Sequence, residues 1–328
     1  MTIYYQDDAV TLLLGDAATV CATLEPQSIQ TVVTSPPYFG LRDYGVEGQL
    51  GAEESPAEFV SALVSVFDAI RPALKDDGTL WVNLGDSYSS GGASRSIGRN
   101  DAGRDMGGGG NRVGSGNPGK QGSRPTSGEP AAKNLMGIPW RFAIAMQDAG
   151  WILRNDIIWA KPNPMPSSVT DRVNSAHEHL FLFAKRPRYY FDLDPIRRPA
   201  ADATVERSRY PVTARSRGAR GLPGEKREEF GMWDATNLME KGGNPGDVWT
   251  LATKPFPGAH FATFPPELPE RCILAGSRPG DTVLDPFSGS GTTGMVAGKH
   301  GRRYVGIDLN AEYHQLALKT RLAQGVLT

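Results

Sequence analysis

Thr282-Val283-Leu284-Asp285-Pro286-Phe287-Ser288-Gly289-Ser290-Gly291-Thr292-Thr293-Gly294 reads as a strand, a glycine turn and the start of a helix. Glycines let the backbone pass close to a ligand and turn N–H groups at a helix start toward it. The loop lacks the lysine of a phosphate-binding P-loop, which disfavours nucleoside triphosphate hydrolysis. Downstream, Tyr304 to Ile307 reads as the next strand and Ala311 to Leu322 as a helix; upstream, Pro266 to Leu274 reads as a helix. Val305-Gly306-Ile307-Asp308 closes its strand with a carboxylate, at about the twenty-residue spacing expected of a ribose-binding acid. Such a group accepts from both ribose hydroxyls, so the pattern points to a nucleoside-containing cofactor. A helix N-cap is the other reading of Asp308.

The same strand–helix alternation fills the first half of the chain. Val10 to Leu14 and Ile29 to Val33 read as strands, with a short helix over Ala17 to Leu24 between them. Pro56 to Leu74 carries a helical stripe of Phe59, Leu63, Val66, Phe67, Ile70 and Leu74, with Ser55 as N-cap and Pro56 at the first helical position. Asp77-Gly78 is expected to turn the chain into a strand over Thr79 to Leu84. Further elements are a helix over Trp140 to Ala149 and strands over Asn155 to Ala160 and Glu178 to Ala184. Two stretches break the pattern. Residues 89–128 are Gly-, Ser-, Arg- and Asn-rich and are expected to form a flexible loop, because they offer too little apolar surface to offset their ordering entropy. From Arg186 to Trp249 the chain is irregular and rich in Arg, Pro and Gly.

The bulk numbers set limits. The chain has 328 residues, 39% hydrophobic and 22% charged, with a formal net charge of −1. That fits one large α/β domain with an insert, or two domains, and any nucleic-acid contact must rest on local basic patches. No run approaches the roughly eighteen apolar residues of a membrane span, and the N-terminus does not read as a secretory signal. Cys21 and Cys272 form no CxxC pair, which argues against a disulfide framework or zinc site and for a cytoplasmic setting.

Chemistry is named by a second string, Thr34-Ser35-Pro36-Pro37-Tyr38, at the end of an apolar strand. Two prolines fix φ and supply no backbone donor, so regular pairing stops and the carbonyls of Ser35 and Pro36 are predicted to be free. A hydroxyl, free carbonyls and an aromatic ring in one turn suit a flat ring bearing an amino group.

The loop Asp285 to Gly291 resembles the S-adenosyl-L-methionine loop of amino-methyltransferases, and Ser35 to Tyr38 resembles their catalytic motif. The catalytic motif comes first and the cofactor loop lies near the C-terminus. That order is similar to the β-class of DNA amino-methyltransferases and opposite to glutamine release-factor methyltransferases. Gly15-Asp16, Gly78 to Asn83, Ile157 to Pro162, His177-Glu178 and His260 to Leu268 match further family segments. The resemblance implies an α/β, Rossmann-like, mostly parallel sheet with helices on both faces in permuted order. It implies two halves of one methyltransferase domain, 1–185 and 250–328, around an irregular target-recognition insert at 186–249. The implied cofactor is S-adenosyl-L-methionine, held by Asp16, His260, Phe264, Pro265, Asp285, Pro286, Phe287, Gly289, Gly291, Thr292 and Asp308. Asp16 reads equally as a turn residue, and Phe264 as a core aromatic.

The implied catalytic set is Ser35, Pro36, Pro37 and Tyr38. Ser35 and the Pro36 carbonyl would hold the amino hydrogens, and Tyr38 would stack on a base flipped out of double-stranded DNA. Phe39 reads either as a second wall or as packing. Ring-carbon methylation needs a nucleophilic cysteine, usually after proline, and neither cysteine has that setting; the target is therefore an exocyclic amine. In the family, Ser before the prolines leans to cytosine N4, with adenine N6 as the alternative. Other readings are a non-catalytic DNA-binding protein on the same scaffold and a methyltransferase of RNA or protein amines. His177 and His179 share one strand face without an evident third metal ligand, and the transfer needs no metal. Arg95, Arg99, Arg104, Arg112, Lys120 and Arg124 make loop 89–128 basic. Arg186, Arg188, Arg197, Arg198, Arg207, Arg209, Arg215, Arg217, Arg220, Lys226 and Arg227 are candidates for phosphate or guanine contacts. A cognate restriction endonuclease and a second copy of the chain complete the partners considered.

Overall fold

A computed structural model describes residues 2–40, 48–89, 130–199, 241–253 and 264–322. Their centre is a nine-stranded sheet in the order β1-β2-β9-β8-β3-β4-β6-β5-β7. The strands are β1 (Thr2–Gln6), β2 (Val10–Leu14), β3 (Ile29–Thr34), β4 (Leu74–Leu84), β5 (Ile152–Ala160), β6 (His177–Ala184), β7 (Val248–Thr250), β8 (Thr282–Asp285) and β9 (Arg303–Asp308). Only the β1–β2, β4–β6 and β5–β6 pairings are antiparallel, so β1 and β6 run against the other strands.

Helices cover both faces. On one lie α1 (Ala17–Cys21), α2 (Pro56–Ile70) and α3 (Ile138–Asp148), packed with Leu13, Val32, Leu80, Val82, Phe181, Phe183, Leu284 and Ile307. On the other lie α4 (Glu267–Gly276), α5 (Thr292–Lys299) and α6 (Ala311–Ala317), packed with Leu12, Val33, Trp81, Leu180, Leu182, Val283 and Tyr304. Neighbouring strand residues point to opposite faces, so a strand apolar at every position needs both layers. All six residues of β3 are buried, which fixes it as a central strand.

Differences from the sequence reading have local causes. Leu74 starts β4 rather than ending α2, because Ile70 is the last helical residue. Asp77-Gly78 does not precede the strand but lies inside it. Ile29 pairs with Leu74 and Thr31 already pairs with Thr79, so the intervening β4 residues bulge out of register. Strand β1 was not anticipated; it is an antiparallel edge with little burial. Nor was β7, whose three residues are too few to display alternation. The last helix ends at Ala317 and continues as one π-turn, Leu318–Leu322. Of loop 89–128, only Ser89 lies within the described residues. It is tied down by its N–H to Asn134 O (2.8 Å) and by its hydroxyl to Pro130 O (2.7 Å). No described helix is long and apolar enough to cross a membrane.

Helix α2 shows how local sequence sets an element. Ser55 Oγ accepts from Glu58 N–H at 3.2 Å, and the Glu58 carboxylate accepts from Ser55 N–H at 3.2 Å. This capping box fixes the start of the helix whose buried stripe covers β3 and β4. Ser55→Ala is expected to lower unfolding free energy by about 1 kcal/mol, read as a shift in urea midpoint.

Candidate active site

Because most strands run the same way, their carboxyl ends share one rim of the sheet. The rim holds Gly15-Asp16 after β2, Asp308 at the end of β9, Asp285 at the end of β8, Ser35 to Tyr38 after β3 and Gly85-Asp86 after β4. Strand β6 is reversed, so its beginning, His177-Glu178, reaches the same rim, as does Lys161 after β5. The chain winds outward in one direction from β3 to β4 and in the other from β8 to β9. The β8–β3 junction is thus a topological switch point, where crevices open in doubly wound sheets.

Asp285 fills that junction. Its Oδ1 accepts from Thr34 Oγ1 (2.6 Å) and Phe287 N–H (3.1 Å), and its Oδ2 accepts from Thr293 Oγ1 (2.8 Å). The residue is buried, and burial outweighs these donors, pushing its pKa to about 6. Beyond it the loop turns through Gly289 (φ +50°) and Gly291 (φ +78°). A Cβ on Gly291 would lie 2.9 Å from Ala317 Cβ, so a side chain is excluded by both dihedral and space. Pro286 is buried and Phe287 packs against the α1–α3 cluster. Thr292 is buried at the first position of α5, and Arg321 Nη1 donates to its hydroxyl and to Ser290 Oγ. Tyr304 donates its hydroxyl to Ser288 Oγ at 2.8 Å. Arg321 and Tyr304 thus brace the loop, and nothing local in the sequence marks either for that task.

Asp308 closes the other side. Gly289 N–H donates to Oδ2 at 2.8 Å and Asn310 N–H to Oδ1 at 2.9 Å. Burial raises this carboxyl also to about 6. The N-cap of α6 is Asn310 and not Asp308, which removes the competing reading. A carboxylate offers about four acceptor positions, so the backbone donors of Gly289, Leu309 and Asn310 leave capacity for a ribose hydroxyl. Glycine backbone and two rim carboxylates at the switch point fit a nucleoside cofactor.

The remaining expected cofactor residues divide. Asp16 lies beside Asp308, since Gly15 N–H donates to Asp308 O (3.0 Å), yet its Oδ1 caps α1 by accepting from Thr19 N–H (2.8 Å) and Oγ1 (2.7 Å). Phe264 and Pro265 are buried, Phe264 within the α4–α6 cluster, while Pro265 O accepts from Leu268 N–H at the start of α4. His260 lies outside the described residues.

On the catalytic side, Ser35 is half-buried, Pro36 buried and Tyr38 half-buried. Among the described residues no donor or acceptor engages the Ser35 hydroxyl, and no N–H reaches the carbonyls of Ser35 and Pro36. Tyr38 donates its hydroxyl to Glu178 Oε2 at 2.5 Å and lies 3.3 Å from Asn83 Oδ1. Phe39 is core packing, tilted on Phe59 at 5.4 Å between centroids. Cys21 and Cys272 are buried, their thiols pushed up by burial, Cys21 to about 12. His179 bonds Asp156 through Nδ1 (2.9 Å) and stacks on Phe181. Of the arginines offered for DNA, Arg186 pairs with Asp76 (2.9 Å) and Arg197 with Asp194 (2.7 Å); residues 200–240 lie outside the described residues.

These features define a Rossmann-like α/β fold with a glycine loop and two carboxylates beside a Ser-Pro-Pro turn. A DNA methylase family profile matches residues 29–319, and the chain belongs to that N6/N4 DNA methylase family. Its cofactor is S-adenosyl-L-methionine. The chain is 42% identical over 307 residues to the Type II methyltransferase M.SmaI of Serratia marcescens, covering 93% of this chain and 88% of the relative. It is 44% identical over 308 residues to M.XycI of Xanthomonas campestris pv. cyanopsidis, covering 94% and 86%. Among solved structures, the PvuII DNA methyltransferase (cytosine-N4-specific) is similar in fold, with TM-score 0.60, 21% identity and coverage of 96% and 87%. A putative DNA modification methylase from Thermus thermophilus, solved with S-adenosyl-L-methionine, gives TM-score 0.56, 23% identity and coverage of 96% and 94%.

The raised carboxyls predict a pH dependence. A folded-state pKa lifted from 3.8 to about 6 gives stability that is full below pH 3.8 and lost as pH rises through about 6. Hydroxyl donors on the cofactor favour the ionised form, so affinity for S-adenosyl-L-methionine moves the opposite way and weakens as pH falls below about 6. Asp308→Asn is expected to weaken binding by roughly 10–100-fold, to flatten the pH profile of binding and to lessen that of stability, where Asp285 still titrates. Calorimetric titration and urea unfolding at pH 5 and 7.5 check this.

Proposed function

We propose that the protein transfers a methyl group to the exocyclic N4 of a cytosine flipped out of double-stranded DNA at a specific sequence. The observation that carries this reading is the Ser35–Pro36 turn, whose hydroxyl and carbonyl are unengaged among the described residues and stand beside the Thr34–Asp285 junction. Bound S-adenosyl-L-methionine supplies an electrophilic methyl on a sulfonium. Gly289, Gly291 and Asp308 bind the nucleoside portion, and Asp285 holds the loop against β3.

An exocyclic amine is a poor nucleophile because its lone pair is delocalised into the ring. The Ser35 hydroxyl and Pro36 carbonyl accept its two hydrogens. This favours a pyramidal nitrogen and turns the lone pair out of the ring plane toward the crevice. The Tyr38 ring stacks on the extruded base, so catalysis rests on positioning and local electrostatics. Ser35 supports cytosine, being the residue type that the resembling cytosine enzymes carry before the prolines. Adenine N6 is the second reading, with the same acceptors. The two buried, weakly acidic thiols are unsuited to attack on a ring carbon, which supports an amine target. The Type II relatives support a setting in restriction–modification.

Incubation with labelled S-adenosyl-L-methionine and unmethylated duplex DNA, followed by nucleoside mass spectrometry, is expected to yield N4-methylcytosine. N6-methyladenine would select the second reading, and neither product would sink the proposal. Ser35→Ala is expected to lower kcat by roughly 100–1,000-fold while leaving cofactor affinity unchanged. A loss confined to cofactor binding contradicts the role given to Ser35.

A further inference from the structure

We propose that Glu178 is a positioning residue for catalysis, holding the Tyr38 ring at a fixed angle before DNA arrives. The inference rests on the reading of Tyr38 as the stacking wall for the extruded base, and it assigns a role to residues that reading does not use.

Three strands converge on one phenol. Glu178, at the start of β6, divides its carboxylate: Oε2 accepts from the Tyr38 hydroxyl at 2.5 Å, and Oε1 pairs with Lys161 Nζ, just past the end of β5. Lys161 also stands over the Trp159 ring, 4.5 Å from its centroid. From β4, Asn83 places Oδ1 3.3 Å from the phenol and donates Nδ2–H to His179 O at 3.2 Å. The side chains of Lys161 and Glu178 are only 18% and 14% exposed, so solvent screens the pair weakly. A phenol has one proton, and it goes to the nearer, charged acceptor. One edge of the ring is set by Gly85, where an added Cβ would lie 2.7 Å from Tyr38 Cε2. The hydroxyl is therefore tethered and the ring edge rests on bare backbone.

A tether at the far end of an aromatic ring controls its tilt. A base stacked on that ring inherits the tilt, and its amino nitrogen moves with it relative to Ser35 and the Pro36 carbonyl. Misplacement by about 1 Å lowers a positional rate by up to roughly 100-fold. Lys161 holds the other oxygen of the Glu178 carboxylate, which leaves Oε2 facing the phenol. Were Glu178 and Lys161 only a clasp between the ends of β5 and β6, the phenol would add nothing to its effect.

The test compares full-length Tyr38→Phe, Glu178→Gln and the double variant in steady-state methyl transfer to duplex DNA carrying the methylated site found by sequencing. Tyr38→Phe and Glu178→Gln are each expected to lower kcat by roughly 10–100-fold with KM for S-adenosyl-L-methionine unchanged. The double variant is expected to be no slower than either single variant, because both act through the same bond. Glu178→Asp keeps the charge beside Lys161 but withdraws the carboxylate by one methylene, and it is expected to lose kcat as Tyr38→Phe does with an unchanged melting temperature. It provides the comparison should Glu178→Gln fold poorly. Losses that multiply in the double variant overturn the proposal, as does full kcat in Glu178→Asp. A wild-type protein that methylates neither cytosine nor adenine fails at the preceding reading instead, before any variant is compared.

Discussion

The carboxylate of Asp285 at the β8–β3 junction holds the two sides of the site in register. Two threonine hydroxyls and one N–H converge on it, from β3, α5 and the loop between β8 and α5. Hydrogen bonds to a charged group contribute about 1.5–3 kcal/mol each, while burying the charge costs several kcal/mol. Burial outweighs these donors and raises the pKa to about 6, so the ionised carboxylate costs stability at neutral pH. What Asp285 contributes is alignment: it fixes the loop after β8 against β3.

Strand direction then decides what can meet. Seven parallel strands would each present a carboxyl end at the rim, yet the phenol tether arrives from β6, which runs the other way. A reversed strand presents its first residues there, so Glu178 reaches the rim from the start of its strand and Lys161 from the end of its own. The two halves of the rim divide the work. On one side stand Asp308 and the glycine loop after β8, with carboxyls raised by burial. On the other stand the Ser35–Pro36 turn and Tyr38, whose hydroxyl is bonded to Glu178.

Much of the architecture was legible because its causes are local. The buried stripe of α2, the Ser55–Glu58 cap, the apolar run of β3 and the glycine loop follow from neighbours within a few residues. What escaped reading lacked a local signal. β1 is exposed, and β7 is three residues long and pairs only because β5 offers an edge. Asp77-Gly78 carries a turn signature, but the sheet absorbs it as a bulge inside β4. Asp16, whose sequence allows a turn or a cofactor role, caps α1 through Oδ1, since a carboxylate one residue before a helix meets free N–H groups.

The α/β alternation, the order of the two motifs and the residue types of the site all came from the chain's own sequence: a hydroxyl before two prolines, a glycine loop between acids, no activated cysteine. Which of these touch was settled only on folding. Thr34 and Asp285 are 251 residues apart along the chain, and Tyr38 and Glu178 are 140 apart. Composition and periodicity act over a few residues, whereas these bonds exist only because sheet order places β8 beside β3 and β6 beside β4.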